Sequence, residues 1–78
     1  MTAPLLDVVL AAFADVMGEP APNGGDTVPE DVEMWTSLTH VHLVYEIESR
    51  LDIALPEVLL VHRGSLATVA EAVRAAAG

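Results

Sequence analysis

Met34-Trp35-Thr36-Ser37-Leu38-Thr39-His40-Val41 is the stretch that decides how this chain folds. Before it, residues 19–33 hold three of the five prolines and the turn signal Asn23-Gly24-Gly25-Asp26. After it, Val41, Val44, Ile47 and Leu51 recur at helical spacing. A loop therefore ends here and an amphipathic helix begins, running from Ser37 to Leu51. A hydroxyl stands at the boundary. The first turn of a helix presents unpaired N–H groups and the positive end of a dipole. A phosphate ester on that hydroxyl would be well placed there.

Working outward, residues 19–33 form a connection, because no alternating apolar runs flank the glycines to make a hairpin. A loop this long inside one small domain calls for a reason. Val28, Val32 and Met34 are the expected anchors of that loop on the core, and Trp35 is expected to fill the core beside them. Upstream, Thr2 and Pro4 read as a helix start, Thr2 capping and Pro4 in the first turn. Leu5, Leu6, Val9, Phe13, Val16 and Met17 follow at helical spacing, with Asp7, Ala11 and Asp15 opposite, until Gly18 ends the helix.

Downstream, Asp52-Ile53-Ala54-Leu55-Pro56 turns the chain, with Ile53 and Leu55 directed inward. Residues 57–62 predict a short helix, broken at Gly64-Ser65. Thr68-Val69-Ala70-Glu71 has the pattern of a capping box. The last helix carries Val69, Ala72, Val73 and Ala76 on one face and ends at Gly78. Amphipathic stripes with no strands must bury one another, so the expectation is one all-α domain over residues 1–78, a small four-helix bundle with a long first loop and a short third helix.

On the second helix, steps of about 100° per residue set Leu38, His42, Tyr45 and Ser49 on an outward stripe. Apolar groups in line with Ser37 suggest a partner surface. His40 tilts toward the inner face as a packed, hydrogen-bonded histidine. Glu46 and Arg50 are spaced for a helical ion pair.

Composition narrows the function. A chain of 78 residues has a limited core, which favours a binding or carrier module over a catalytic cleft. Twelve acids against three arginines, with no lysine, give a net charge of -9. That argues against nucleic acid and anionic membranes as partners and suits basic patches on proteins. The absence of cysteine excludes disulfides and thiolate metal sites. Apolar runs are short, and Asp7 and Asp15 break the first, so neither a membrane span nor a signal peptide is expected. A cytoplasmic monomer is.

Two kinds of chemistry are weighed for the histidines and the serine. His40 and His42 lie two residues apart and diverge on a helix, so they do not chelate one metal, and no metal site is expected. Ser37 with His40 lacks the Gly-x-Ser-x-Gly elbow and the sheet that would hold a nucleophile, so no catalytic residue is expected.

The segment resembles the attachment site of the acyl carrier and peptidyl carrier proteins, in which an Asp-Ser-Leu triplet opens the second helix. Here the triplet reads Thr36-Ser37-Leu38. The likeness continues through Val41, Leu43, Val44, Ile47, Glu48, Leu51, Asp52 and Ile53, then Leu55-Pro56 and Thr68-Val69. It also extends to length, acidity, helix order and the long first loop. The resemblance implies a discrete acyl carrier whose Ser37 bears a 4′-phosphopantetheine arm taken from coenzyme A. The arm tethers acyl or aminoacyl groups as thioesters. It implies that Leu38, His42, Tyr45 and Ser49 lie on the recognition helix. It implies as partners a phosphopantetheinyl transferase, a loading enzyme, and ketosynthase, condensation or tailoring enzymes. The outward stripe is poorer in acids than that of fatty-acid carriers, which points to a polyketide, nonribosomal peptide or related specialised pathway. Thr36 supplies no carboxylate where the family has one, so the alternative is a carrier-like interaction module without the arm.

Overall fold

The computed structural model describes residues 5–61 and 64–77, with the side chain of Ala77 excepted. Among these residues there are three α-helices and no strands: α1 (Leu5–Met17), α2 (Ser37–Leu51) and α3 (Leu66–Ala77). Short 3-10 turns occupy Gly24–Asp26, Pro29–Asp31 and Glu57–Val61. The expected helix over 57–62 is therefore a single 3-10 segment. Its run is apolar but brief, and the Leu59 N–H is satisfied three residues back by the Pro56 carbonyl (3.1 Å). The expected start at Thr2 and Pro4, the end at Gly78 and the position of His62 lie outside the described residues.

Helix α1 buries Val9, Ala12, Phe13 and Met17. It stops at Gly18, whose φ of 81° is a left-handed cap that costs glycine nothing. Phe13 meets Trp35 edge to face, with ring centroids 5.3 Å apart and planes at 74°. Helix α3 closes the core with Leu66, Val69, Ala70 and Val73. Ala76, expected on that face, is exposed. The inward arc is centred nearer Leu66 and Ala70.

The helix starts earlier than the Thr68 pattern predicts, and the start has a clear cause. The Ser65 hydroxyl accepts from the Thr68 N–H (3.3 Å), and the Thr68 hydroxyl donates to the Ser65 carbonyl (2.6 Å). Ser65 is thus the cap, and Thr68 lies in the first turn. Glu71 pairs with Arg74 (2.6 Å) in place of the expected Thr68 box. The first N–H of the helix, Leu66, donates to the Thr27 carbonyl of the long loop (3.0 Å). Burial of Leu66 then pulls the helix back by one turn. Ser65→Ala should cost about 1 kcal/mol and lower the thermal midpoint by roughly 4–8 °C. A calorimetric scan of the variant checks this, with Thr68→Ala and Glu71→Ala as comparators for the alternative box.

The long loop is held down at different points from those expected. Val32 and Trp35 are buried, and Val28 is half-buried. Met34 is 56% exposed and anchors nothing. The turn over Pro29–Asp31 leaves Pro29 and Val32 as the inward residues, and Met34 falls on the solvent side. Thr27 is fully buried. Its hydroxyl accepts from the Asn23 N–H (2.9 Å) while its carbonyl holds α3. The Asp31 carboxylate accepts from the Val28 N–H (3.2 Å) and the Asn23 side-chain amide (3.0 Å). Gly25 lies so close to α1 and α3 that a Cβ would meet Leu6 at 3.2 Å and Ala67 at 3.5 Å.

No described helix is long and apolar enough to cross a membrane. At the far end of α2, Asp52 adopts the left-handed conformation (φ 55°), and the Ile53 N–H returns to the Glu48 carbonyl (3.2 Å). The Glu48 side chain accepts from the Leu55 N–H (2.6 Å) and so fixes the turn that lays Ile53 and Leu55 against the core.

Candidate functional site

The start of α2 is built by reciprocal capping. Thr36 has extended backbone geometry (φ -99°, ψ -179°), and its hydroxyl accepts from the Thr39 N–H (3.3 Å). In return the Thr39 hydroxyl accepts from the Thr36 N–H (2.7 Å) and donates to the Met34 carbonyl (2.6 Å). Thr36 thus caps the helix, and Thr39 is its partner. Ser37 is the first helical residue and is exposed. Its side chain stands where the dipole of α2 is positive, with no acid in the first turn.

Two flanking residues reach inward from this exposed start. Trp35 is 3% exposed and His40 is 1% exposed. The Trp35 indole N–H donates to His40 Nδ1 (3.1 Å), and His40 Nε2 lies 2.7 Å from the Leu59 carbonyl. An indole N–H only donates and a carbonyl only accepts. The imidazole is therefore neutral with its proton on Nε2. The rings lie 6.0 Å apart at 25°, near the coplanar geometry of a hydrogen bond between their edges. Residues just before and just after Ser37 are in this way tied to the core and to the Glu57–Val61 turn.

The inner face of α2 consists of His40, Leu43, Val44 and Ile47. Val41 and Leu51, expected there, are only half-buried, and Leu43 takes the central place. The buried imidazole, with both nitrogens paired, rotates the inward arc by roughly 40°, less than half of one residue's step of about 100°.

Leu38, His42, Tyr45 and Ser49 are all exposed, as the helical wheel placed them. Leu38 is 66% and Tyr45 55% exposed, large values for apolar side chains. Residues 34–45 carry no Asp, Glu, Lys or Arg in a chain of net charge -9. The charged groups of α2 begin at Glu46, where Arg50 meets Glu46 (2.9 Å) and also reaches Asp15 on α1. The N-terminal half of α2 is thus an uncharged face with apolar members beside a serine.

No family model, curated protein or solved structure matches this chain. Two recesses open along α1. One, of about 270 Å³, is lined by Leu5, Leu6, Ala67, Ala70, Glu71 and Arg74. The other, of about 390 Å³, is lined by Asp7, Val8, Ala11 and Arg50. Neither includes Ser37 or its neighbours. The serine lies on a surface, at a fixed helix start, and what it offers is accessibility to another molecule.

The Trp35–His40 pair is the feature that sequence reasoning missed. Inward placement of both residues followed from the wheel and from the lone aromatic. Their mutual hydrogen bond spans the cap, five residues apart, and has no periodic signature.

Proposed function

We propose that this protein is an acyl carrier whose Ser37 is the attachment point of a 4′-phosphopantetheine arm. One observation carries the reading: Ser37 is an exposed hydroxyl at the first position of a capped helix whose N-terminal half is uncharged. A phosphodiester is compatible with that position, since the helix dipole favours the anion and no first-turn carboxylate opposes it. The arm, when bound, supplies a thiol that holds acyl or aminoacyl groups as thioesters. The chain's own part is presentation. Thr36 and Thr39 fix the helix start, Trp35 and His40 anchor it to the core, and Ser37 stays outside. Leu38, His42, Tyr45 and Ser49 form the face that partner enzymes meet.

The order of elements supports the same reading. A long loop separates α1 from α2, and the short Glu57–Val61 turn precedes the last helix. In the acyl-carrier plan that turn is the short third helix of a four-helix bundle. The partners in this reading are a phosphopantetheinyl transferase, a loading enzyme, and ketosynthase, condensation or tailoring enzymes of a specialised pathway, in the cytoplasm.

One observation favours a second reading, a carrier-like interaction module without the arm. Position 36 holds a threonine, its hydroxyl committed to the cap, and no carboxylate stands directly before the serine. Transfer from a fluorescent coenzyme A conjugate by a broad-specificity transferase with Mg²⁺ separates the two. The carrier reading predicts labelling of the native protein and a rate about tenfold higher for Thr36→Asp, which adds a charge at the rim of the encounter. Absence of label on both proteins would favour the interaction module.

A further inference from the structure

We propose that His40 is a proton-operated latch, holding the Glu57–Val61 turn and Trp35 against the start of α2 when neutral and releasing them when protonated. The proposal does not depend on whether Ser37 carries an arm.

The geometry admits one protonation state. Nδ1 accepts from the indole N–H of Trp35 at 3.1 Å, and Nε2 donates to the Leu59 carbonyl at 2.7 Å. A second proton on the ring must go to Nδ1. It would then oppose the Trp35 N–H donor to donor, because indole has no acceptor to offer. The same proton would place a full charge on a side chain that is 1% exposed, where charge is costly. In the opened segment the ring is solvated and takes the proton near the ordinary value for histidine, about 6.5. Acid therefore pulls toward the open form.

What opens is set by what the ring holds. Its Leu59 bond ties α2 to the 57–61 turn. That turn carries Val58 and Val61, 67% and 72% exposed, on its outer side. On the other side of the ring, Trp35 lies two residues before Ser37. Protonation thus reaches both flanks of the helix start.

The ionisable groups on the surrounding elements are Glu33 beside Trp35, His42, Tyr45, Glu46, Glu48 and Arg50 on α2, Glu57 on the turn, Asp7 and Asp15 on α1, and Glu71 and Arg74 on α3. All are exposed except Glu46 and Glu48, which are half-buried. His62 and Arg63 follow the turn and lie outside the described residues. Controls for the two other histidines are therefore needed.

The sign follows from proton counting. The open form binds one more proton than the closed form below about pH 6.5 and none above it. The opening constant is then flat at neutral pH and rises by up to about tenfold for each pH unit below that value.

The test is amide hydrogen exchange of residues 57–61 between about pH 7.5 and about pH 5, with His40 ring ¹⁵N shifts recorded in parallel. The background is a His42→Gln/His62→Gln double variant, so that His40 is the remaining histidine. The expected result is a neutral ring protonated on Nε2 at the upper end. Protection of the Leu59 amide should fall by up to about tenfold per pH unit at the lower end. Adding His40→Gln, whose amide can donate to Leu59 and accept from Trp35 without titrating, should flatten that slope. An unchanged slope in His40→Gln would overturn the latch. Should that variant fail to fold, the parent background still decides. Protection that stays constant while the ring titrates, or a ring protonated on Nδ1 at neutral pH, would overturn it as well.

Discussion

Replacing Phe13 by alanine is expected to cost about 3–5 kcal/mol of folding stability. Phe13 is fully buried on α1 and meets Trp35 at 5.3 Å, edge to face. It touches the residue that anchors the start of α2, so the loss falls on both the core and the site. The substitution removes most of a large apolar side chain and leaves a void that the neighbours fill only in part. The aromatic pair adds about 0.5–1.5 kcal/mol beyond burial, already contained in the upper part of that range. A domain of 78 residues holds roughly 4–12 kcal/mol in all. The variant thus stands near the edge of folding. Urea denaturation followed by Trp35 fluorescence measures it directly, and a midpoint lowered by less than a quarter would show that Phe13 is not the keystone of the core. A matched change at half-buried Val16, to alanine, should cost well under half as much.

The second large effect concerns the uncharged face. Leu38→Glu is expected to slow transfer of phosphopantetheine to Ser37 by roughly thirtyfold or more, the scale of a truncated interface hot spot. Leu38 follows Ser37 directly and is 66% exposed, so its side chain is spent on nothing inside the fold. A glutamate in the first turn of a helix is even slightly favourable to the dipole, so stability should stay within about 0.5 kcal/mol of the parent. Loss of transfer with an unchanged thermal midpoint therefore separates recognition from folding. Equal rates for the variant and the parent would remove Leu38 from the partner surface. Ser49→Glu, three turns away on the same stripe, is the comparator for a general effect of added charge.

Much of this architecture was legible because local and tertiary preferences agree. Thr36, Asp52 and Gly18 mark helix ends, and the structure ends α1 and bounds α2 at those residues. Exposure of Leu38, His42, Tyr45 and Ser49 followed from rotation alone. Disagreements arise where a distant contact decides. Thr27 is a polar loop residue with no pattern to announce it, and it is buried because its hydroxyl and carbonyl are both used. Its carbonyl draws in Leu66, so Ser65 caps α3 and the better-looking pattern at Thr68 and Glu71 goes unused. Met34 looked like an anchor by hydrophobicity, yet Pro29 and Val32 take the inward positions. Leu43 displaced Val41 at the centre of the inner face because His40 could be buried at no polar deficit.

The site divides in the same way. Ser37 was found from the junction of loop and helix, a local feature. The Trp35–His40–Leu59 chain runs across a cap and over to a segment nineteen residues beyond His40, and only the folded structure brings it together.

The most direct test of the carrier reading is the intact mass of the protein after incubation with coenzyme A, Mg²⁺ and a broad-specificity phosphopantetheinyl transferase, with Ser37→Ala treated in parallel. The predicted result is a single phosphopantetheine adduct on the native chain, mapped by fragmentation to Ser37, and none on the variant. An unmodified native chain under conditions that fully load a known carrier, or an adduct that persists in Ser37→Ala, would contradict it.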